Sequence, residues 1–325
     1  MFEDMIHVSI VIPETAVMAS IADPQYMFTA VNGFKQQKGY EPVFAVKLVA
    51  ATRQVNLNNG LYTIHADTLL HEIDHTDLII IPALSGAMDK AVAANKELAS
   101  WLREKYNEGA SLASLCIGAF LLADTGLLNG KKCSTHWLYA DEFRKKHPEV
   151  VLVDDKIITE ENRLYSSGGA NSYWNLLLYL VEKYTNREMA ILASKYFVIE
   201  TMRNNQSPFV IFTGQKSHKD ETVKLAQEYI EQNFAQRLTI DQLSTMVATG
   251  KRTLERRFKE ATGNTITEYM QRVKVEAAKK SFEVSRNNIS EVMYEVGYTD
   301  PKAFRTTFRK ITGVSPVAYK NKYSR

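Results

Sequence analysis

Two sets of side chains, fifty residues apart, share one spacing and a mainly basic character. Arg252, Glu255, Arg256 and Lys259 fall at i, i+3, i+4 and i+7, and Lys302, Arg305, Thr306 and Arg309 repeat that spacing. On a helix these positions share one face. Leu254, Phe258 and Ala261, and again Phe304, Phe308 and Ile311, form an apolar face on the other side. A helix with guanidinium and ammonium groups on its outer face fits the major groove of double-stranded DNA, where such groups meet guanine edges or phosphates. One basic face alone is ordinary solvated surface; two equivalent faces on a duplicated unit point to an anionic partner. A third candidate is Cys116, which follows the apolar run Ser111–Leu115 and opens a helical pattern over Ile117–Asp124. The N-terminus of a helix favours thiolate, so a cysteine there has the position of a nucleophile.

The elements that position the first two sets are duplicated. Lys251–Tyr269 superposes on Pro301–Tyr319 at a shift of 50, matching Leu254 with Phe304, Phe258 with Phe308, and Thr262-Gly263 with Thr312-Gly313. The preceding apolar positions match at a shift of 49: Ile240 with Ile289, Leu243 with Val292, Val247 with Val296. Helix, short turn, helix, then Thr-Gly, occurring twice, predicts two helix-turn-helix units. Thr239-x-x-Gln242 and Asn288-x-x-Glu291 read as capping boxes. Asp300-Pro301 reads as an N-cap with proline at the first helical position, and Gly263 and Gly313 as helix-ending glycines. The predicted helices are 223–234, 240–248, 251–262, 266–282, 289–296 and 301–312, with a short terminal turn.

The first part of the chain has a different texture. Strands are predicted at 7–12, 43–49, 78–81, 111–115, 150–158 and 163–165, separated by helical patterns at 24–33, 87–108 and 117–124 and followed by helices at 172–184 and 188–203. Aliphatic strands alternating with helices imply an α/β domain on a mainly parallel sheet. Charge divides the chain in the same place. Residues 1–213 carry 19 basic and 24 acidic side chains, a balance of −5, whereas residues 214–325 carry 21 and 13, a balance of +8. The whole-chain value of +3 conceals this contrast. Residues 1–203 are expected to form a sensor or dimerisation domain, 204–220 a linker and 221–325 the DNA-binding domain.

The region from Val223 to Tyr323, and above all ISEVMYEVGYTDPKAFRTTFRKITGVSPVAYK, resembles the DNA-binding domain of AraC/XylS-type transcription regulators. The resemblance implies two helix-turn-helix units bridged by a long helix, here about Ile266–Phe282, whose recognition helices enter successive major-groove faces. Carried over by position, Arg252, Glu255 and Arg256, then Lys302, Arg305 and Thr306, become the candidates for base contact; many members carry Arg where this chain has Thr306. The stretches ASLASLCIGAFLLADTGLLNGKKCSTHW and SSGGANSYWNLLLYLVE resemble a PfpI-type, class I amidotransferase-like domain, with Cys116 at a nucleophile elbow. The combination is similar to GlxA-type regulators. The expected fold is therefore a parallel-sheet sandwich of the class I amidotransferase-like type, followed by an all-α domain with two helix-turn-helix units.

Departures from the enzymatic pattern shape the reading of Cys116. Ile117 stands where enzymatic relatives often have His, Ala83-Leu84 where they often have Gly-Gly, and Ser20 where they have an acidic residue, with Glu14 nearby in sequence. No catalytic residue is therefore assigned. Cys116, Ile117, Ala83, Leu84, His136, Glu14, Ser20 and Tyr173 are expected to line a pocket for a small-molecule effector. A cysteine-dependent hydrolase or hydratase, and a constitutive DNA-binding protein whose first domain only dimerises, are the rival readings. His65, His71 and His75 match no zinc spacing, and no phosphate-binding glycine loop occurs, so neither metal nor cofactor is expected. Two cysteines, Cys116 and Cys133, provide no disulfide framework. The acidic N-terminal segment and short apolar runs suggest a cytoplasmic chain without a membrane span, expected to act as a homodimer.

Overall fold

The computed structural model describes residues 5–200, 206–216 and 218–323. It divides into two compact units, Met1–Gln206 and Ser207–Arg325.

The first unit runs β1 (Ile6–Val11), α1 (Ala19–Gln37), β2 (Phe44–Ala50), β3 (Gln54–Leu57), β4 (Tyr62–His65), β5 (Thr68–Leu69), β6 (Leu78–Ile81), α2 (Met88–Ala94), α3 (Lys96–Asn107), β7 (Ser111–Ser114), α4 (Ala119–Asp124), β8 (Lys132–Cys133), α5 (Ala140–Lys146), β9 (Val151–Leu152), β10 (Ile158–Glu161), β11 (Leu164–Ser167), α6 (Tyr173–Tyr184) and α7 (Arg187–Tyr196). Seven strands form one sheet in the order β10-β11-β7-β6-β1-β2-β5. Only the β10–β11 pairing is antiparallel; the others are parallel. Burial on both faces explains the unbroken aliphatic runs. In β6, Leu78 and Ile80 pack on one side with Met27 and Phe28 of α1 and Leu176 and Leu180 of α6. Ile79 and Ile81 pack on the other with Leu102 of α3 and Phe120 of α4. The result is a three-layer α/β/α sandwich.

Three local expectations need correction. The helix expected over 87–108 is two helices, because Asn95 breaks it. Its side-chain amide donates to the Ala91 carbonyl (2.7 Å) and its oxygen accepts from the Glu14 amide (3.1 Å), so the asparagine competes for backbone groups. The strand expected over 150–158 stops at Leu152 and resumes at Ile158, with Asp154 drawn into an ion pair with Arg144 (2.8 Å). The helix expected from Pro24 begins at Ala19 and carries the proline inside it. Hairpin β3–β4 went unpredicted, although Asn58, Asn59 and Gly60 take the positive φ values (50°, 55° and 84°) that such a turn demands. Helix α7 ends at Tyr196, and Arg203, the expected end, lies outside the described residues.

The second unit is helical: α8 (Glu221–Gln232), α9 (Ile240–Met246), α10 (Lys251–Thr262), α11 (Ile266–Val284), α12 (Ile289–Glu295), α13 (Pro301–Thr312) and α14 (Pro316–Tyr323). It has two cores. Leu243, Leu254 and Phe258 pack with Ile266 and Tyr269 from the start of α11. Val292, Phe304 and Phe308 pack with Val275, Ala278 and Phe282 from its later turns. One long helix thus serves both helix-turn-helix units. Among the described residues, no helix is long and apolar enough to cross a membrane.

Candidate nucleic-acid interface and cysteine elbow

The second unit shows its duplication atom by atom. Leu254, Phe258 and Thr262 are buried in α10, and Phe304, Phe308 and Thr312 at the same positions in α13; the burial pattern agrees residue by residue along both helices. Ala261 and Ile311 are half-buried. The Thr262 and Thr312 hydroxyls each donate to the carbonyl four residues back (2.8 Å). Gly263 and Gly313 then stop the helices at φ 71° and 76°, a left-handed cap open to glycine at little cost. Tyr269 donates to Glu231, and Tyr319 to Glu283, each at 2.6 Å, fixing the following helix to the preceding one. The capping boxes at Thr239 and Asn288 and the Asp300 cap on the Lys302 amide (2.9 Å) form as expected.

Within each unit the turn is tight. Ala248 holds φ 49° in the first, and Gly297 holds φ 77° at the equivalent place in the second. These turns leave Arg252, Glu255, Arg256 and Lys259, and Lys302, Arg305, Thr306 and Arg309, all exposed on matching faces. Their partners differ. Arg256 donates one nitrogen to both oxygens of Glu260 (2.9 and 3.0 Å). Lys259 donates to the Gly263 carbonyl (2.7 Å). Among the described residues, the side chains of Arg252, Glu255, Lys302, Arg305, Thr306 and Arg309 have no partner. Arg257, on the flank of α10, is structural. It grips Asp220 through two nitrogens (2.6 and 2.8 Å) and holds that carboxyl below the usual carboxylate range.

In the first unit, β7 runs into Cys116, which takes φ 55° and a single 3₁₀ turn before α4. A non-glycine residue there is strained, as at a nucleophile elbow. Gly118 makes the bend possible: a Cβ would lie 2.4 Å from the Pro82 carbonyl oxygen and 2.7 Å from that of Ile81. The elbow therefore packs on the end of β6, next to Ala83 and Leu84. Hydroxyl groups occupy the backbone around it. The Cys116 amide donates to Ser167 Oγ (3.0 Å), the Thr135 hydroxyl donates to the Cys116 carbonyl (3.2 Å), and the Ala83 amide donates to Ser20 Oγ (3.0 Å). Burial pushes the Cys116 thiol up to about 12, outweighing the Ile117 amide that favours thiolate. The expected helix-terminus activation of this cysteine is therefore overcome by desolvation.

The remaining pocket candidates divide. Tyr173 is buried, lies within electrostatic reach of Cys116, and donates to Asp23 (2.5 Å); burial first, then Asp23, raises its pKa. His136 follows Thr135, is half-buried with its pKa lowered by desolvation, and accepts the Leu138 amide at Nδ1 (3.1 Å). The Glu14 side chain is exposed, with no hydrogen bond to the elbow among the described residues. Sequence reasoning missed Ser167, Thr135 and Asp23. Ser167 and Thr135 each follow another hydroxyl residue at a strand end, the one signal that could have singled them out. Cys133 is fully buried and, like Cys116, unpaired in any disulfide. His65, His71 and His75 are exposed at separate places on β4, on the turn after β5 and before β6.

Comparison with known proteins accords with both units. Residues 243–322 match the helix-turn-helix domain family, and residues 26–183 the DJ-1/PfpI family. The HTH-type transcriptional regulator GbdR of Pseudomonas aeruginosa is 26% identical over 304 residues, spanning 92% of this chain and 79% of that protein. An uncharacterized HTH-type transcriptional regulator in the cgkA 5′ region of Pseudoalteromonas carrageenovora is 33% identical over 116 residues, 34% of this chain and 69% of that protein. The crystal structure of an AraC family transcriptional regulator from Pseudomonas putida shares the fold, with a TM-score of 0.50 at 20% identity over 59% of this chain and 99% of that one. A duplicated, outward-basic helix-turn-helix behind a DJ-1/PfpI-type sandwich makes this chain a member of the HTH-type transcriptional regulators of the AraC kind, a DNA-binding regulator of transcription.

Proposed function

We propose that α10 and α13 enter successive major-groove faces of one DNA site and meet it through Arg252, Glu255, Arg256, Lys259, Lys302, Arg305, Thr306 and Arg309. The supporting observation is the residue-by-residue agreement of burial along the two helices, which leaves the same face of each open. Residues 1–203 serve as sensor and dimerisation domain, 204–220 as linker and 221–325 as reader, in a cytoplasmic homodimer placing its readers on repeated sites. A small-molecule effector binds at the elbow formed by Cys116, Ile117, Ala83, Leu84, Ser20 and Tyr173, with His136 and Glu14 at its margin. It regulates by binding the DNA-competent and DNA-incompetent arrangements with different affinity. The test is the affinity of the Arg252→Ala and Arg305→Ala chains for a selected operator. Each should fall about ten- to a hundredfold, and wild-type affinity in both would refute the assignment.

The elbow favours sensing over hydrolysis. An acyl-transfer site needs thiolate, a base and free backbone donors for an oxyanion. Here the thiol is pushed up to about 12. The Cys116 and Ala83 amides are engaged by Ser167 and Ser20, and His136 Nδ1 already accepts a backbone amide.

A further inference from the structure

The duplication is close in shape and uneven in charge. At positions of identical burial, Glu255 stands opposite Arg305, and Glu260 opposite Lys310. The cations of α13 at Lys302, Arg305 and Arg309 are exposed and have no protein partner among the described residues. Two of the three cations on the outer face of α10 are engaged within the same unit: Arg256 by Glu260, Lys259 by the Gly263 carbonyl. On the same face Glu255 presents an exposed carboxylate with no partner among the described residues.

We propose that the two helices divide the work, α13 supplying the phosphate grip and α10 the sequence discrimination, with Glu255 reading a cytosine and Glu260 positioning Arg256 on a guanine. This rests on the DNA-facing assignment above. A carboxylate brought into a groove walled by phosphates is repelled unless a base donates to it, and the cytosine amino group is the donor that Glu accepts from in the major groove. Glu255 therefore penalises wrong sequences more than it rewards contact, which is how a negatively charged reader contributes specificity. The Arg256 contact has matching logic. Glu260 takes one terminal nitrogen, Nη1, and leaves the Nε and Nη2 edge free as a two-donor fork for guanine O6 and N7. On α13 no partner among the described residues holds Lys302, Arg305 or Arg309 back from phosphate, and Thr306 stands where α10 has Arg256.

The experiment selects sites from a random 30-base-pair duplex library with the full chain, then measures affinity for the enriched site against single-base variants over a series of salt concentrations. Glu255→Gln should lose about ten- to a hundredfold discrimination at one C·G pair while binding unrelated DNA more tightly. Glu260→Gln should relax discrimination at a guanine without lowering the salt slope. Lys302→Gln, Arg305→Gln and Arg309→Gln should each reduce the slope of log affinity against log salt by about 0.9 and leave the α10 half of the site unchanged. All five positions are exposed, so folding is not at stake. If Glu255→Gln leaves every base preference intact, or if neutralising α13 relaxes sequence preference as much as altering α10, the division of labour is overturned. If no sequence is enriched by the wild-type chain, the DNA-facing assignment itself falls.

Discussion

Gly297→Ala tests the turn that aims the second recognition helix. Gly297 holds φ 77°, a region that costs an L-residue about 1–2 kcal/mol. A Cβ there would lie 2.0 Å from the Ala235 carbonyl oxygen and 2.8 Å from its carbon. Those are backbone atoms and cannot swing aside, and displacing packed backbone typically costs another 1–3 kcal/mol or so. The narrower unfolded ensemble of alanine returns only about 0.4–1 kcal/mol. The net expectation is a loss of about 1–4.6 kcal/mol from the second unit. Ala248→Gly, at the equivalent turn, should act oppositely. It relieves a left-handed alanine at φ 49° and loses the entropy advantage of alanine, for a net gain of about 0.5–1 kcal/mol. Urea unfolding of the full chain separates the units, because all three tryptophans, Trp101, Trp137 and Trp174, lie in the first. Helical circular dichroism should therefore show an earlier transition in Gly297→Ala while the tryptophan transition stays in place. A Gly297→Ala chain as stable as wild type by circular dichroism would show that the turn is not under the constraint described.

Two further outcomes follow from buried and paired ionisable groups. With its thiol pushed from 9.0 to about 12, Cys116 holds about a thousandth of the thiolate of an unperturbed cysteine at pH 8; iodoacetamide should label it in the folded chain about a thousandfold more slowly than in urea, and rates within tenfold would contradict a desolvated, protonated thiol. Asp220 caps α8 through the Val223 amide (3.1 Å) and pairs with Arg257, so Asp220→Ala should cost about 1–2 kcal/mol at pH 7. Because its folded pKa is depressed below the ordinary 3.8, that contribution is complete at neutral pH and disappears as pH falls through the folded value; the wild-type and mutant circular-dichroism midpoints should converge in strong acid, and a constant gap would refute the linkage.

Helix α10 and helix α13 were legible from their first residue to their last, because Asp300-Pro301, Thr262-Gly263 and Thr312-Gly313 are local stop and start signals acting through neighbouring backbone. The two-core reader was legible too, since a 3.6-residue apolar period and a fifty-residue repeat survive in one dimension. The breaks at Asn95 and after Leu152 were not: they depend on Asn95 meeting the Glu14 amide, eighty-one positions away, and on Arg144 reaching Asp154.

Sequence by itself determined the class of the protein: a charge balance of −5 before +8, two helix faces of one spacing, and a cysteine at a strand-to-helix bend. Folding decided what that cysteine and those charges are free to do, tertiary contacts at the cysteine and helix geometry at the charges. Ser167 and Ser20 arrive at the elbow from distant segments and accept the backbone amides that an oxyanion would need, Thr135 engages the Cys116 carbonyl, and burial keeps the thiol protonated. On the reader, Arg256 and Arg305 are equally cationic in sequence, yet folding gives the first a carboxylate at one turn's distance and leaves the second without a partner among the described residues. Residue type sets which interactions are possible; proximity and desolvation set which ones remain available to a partner.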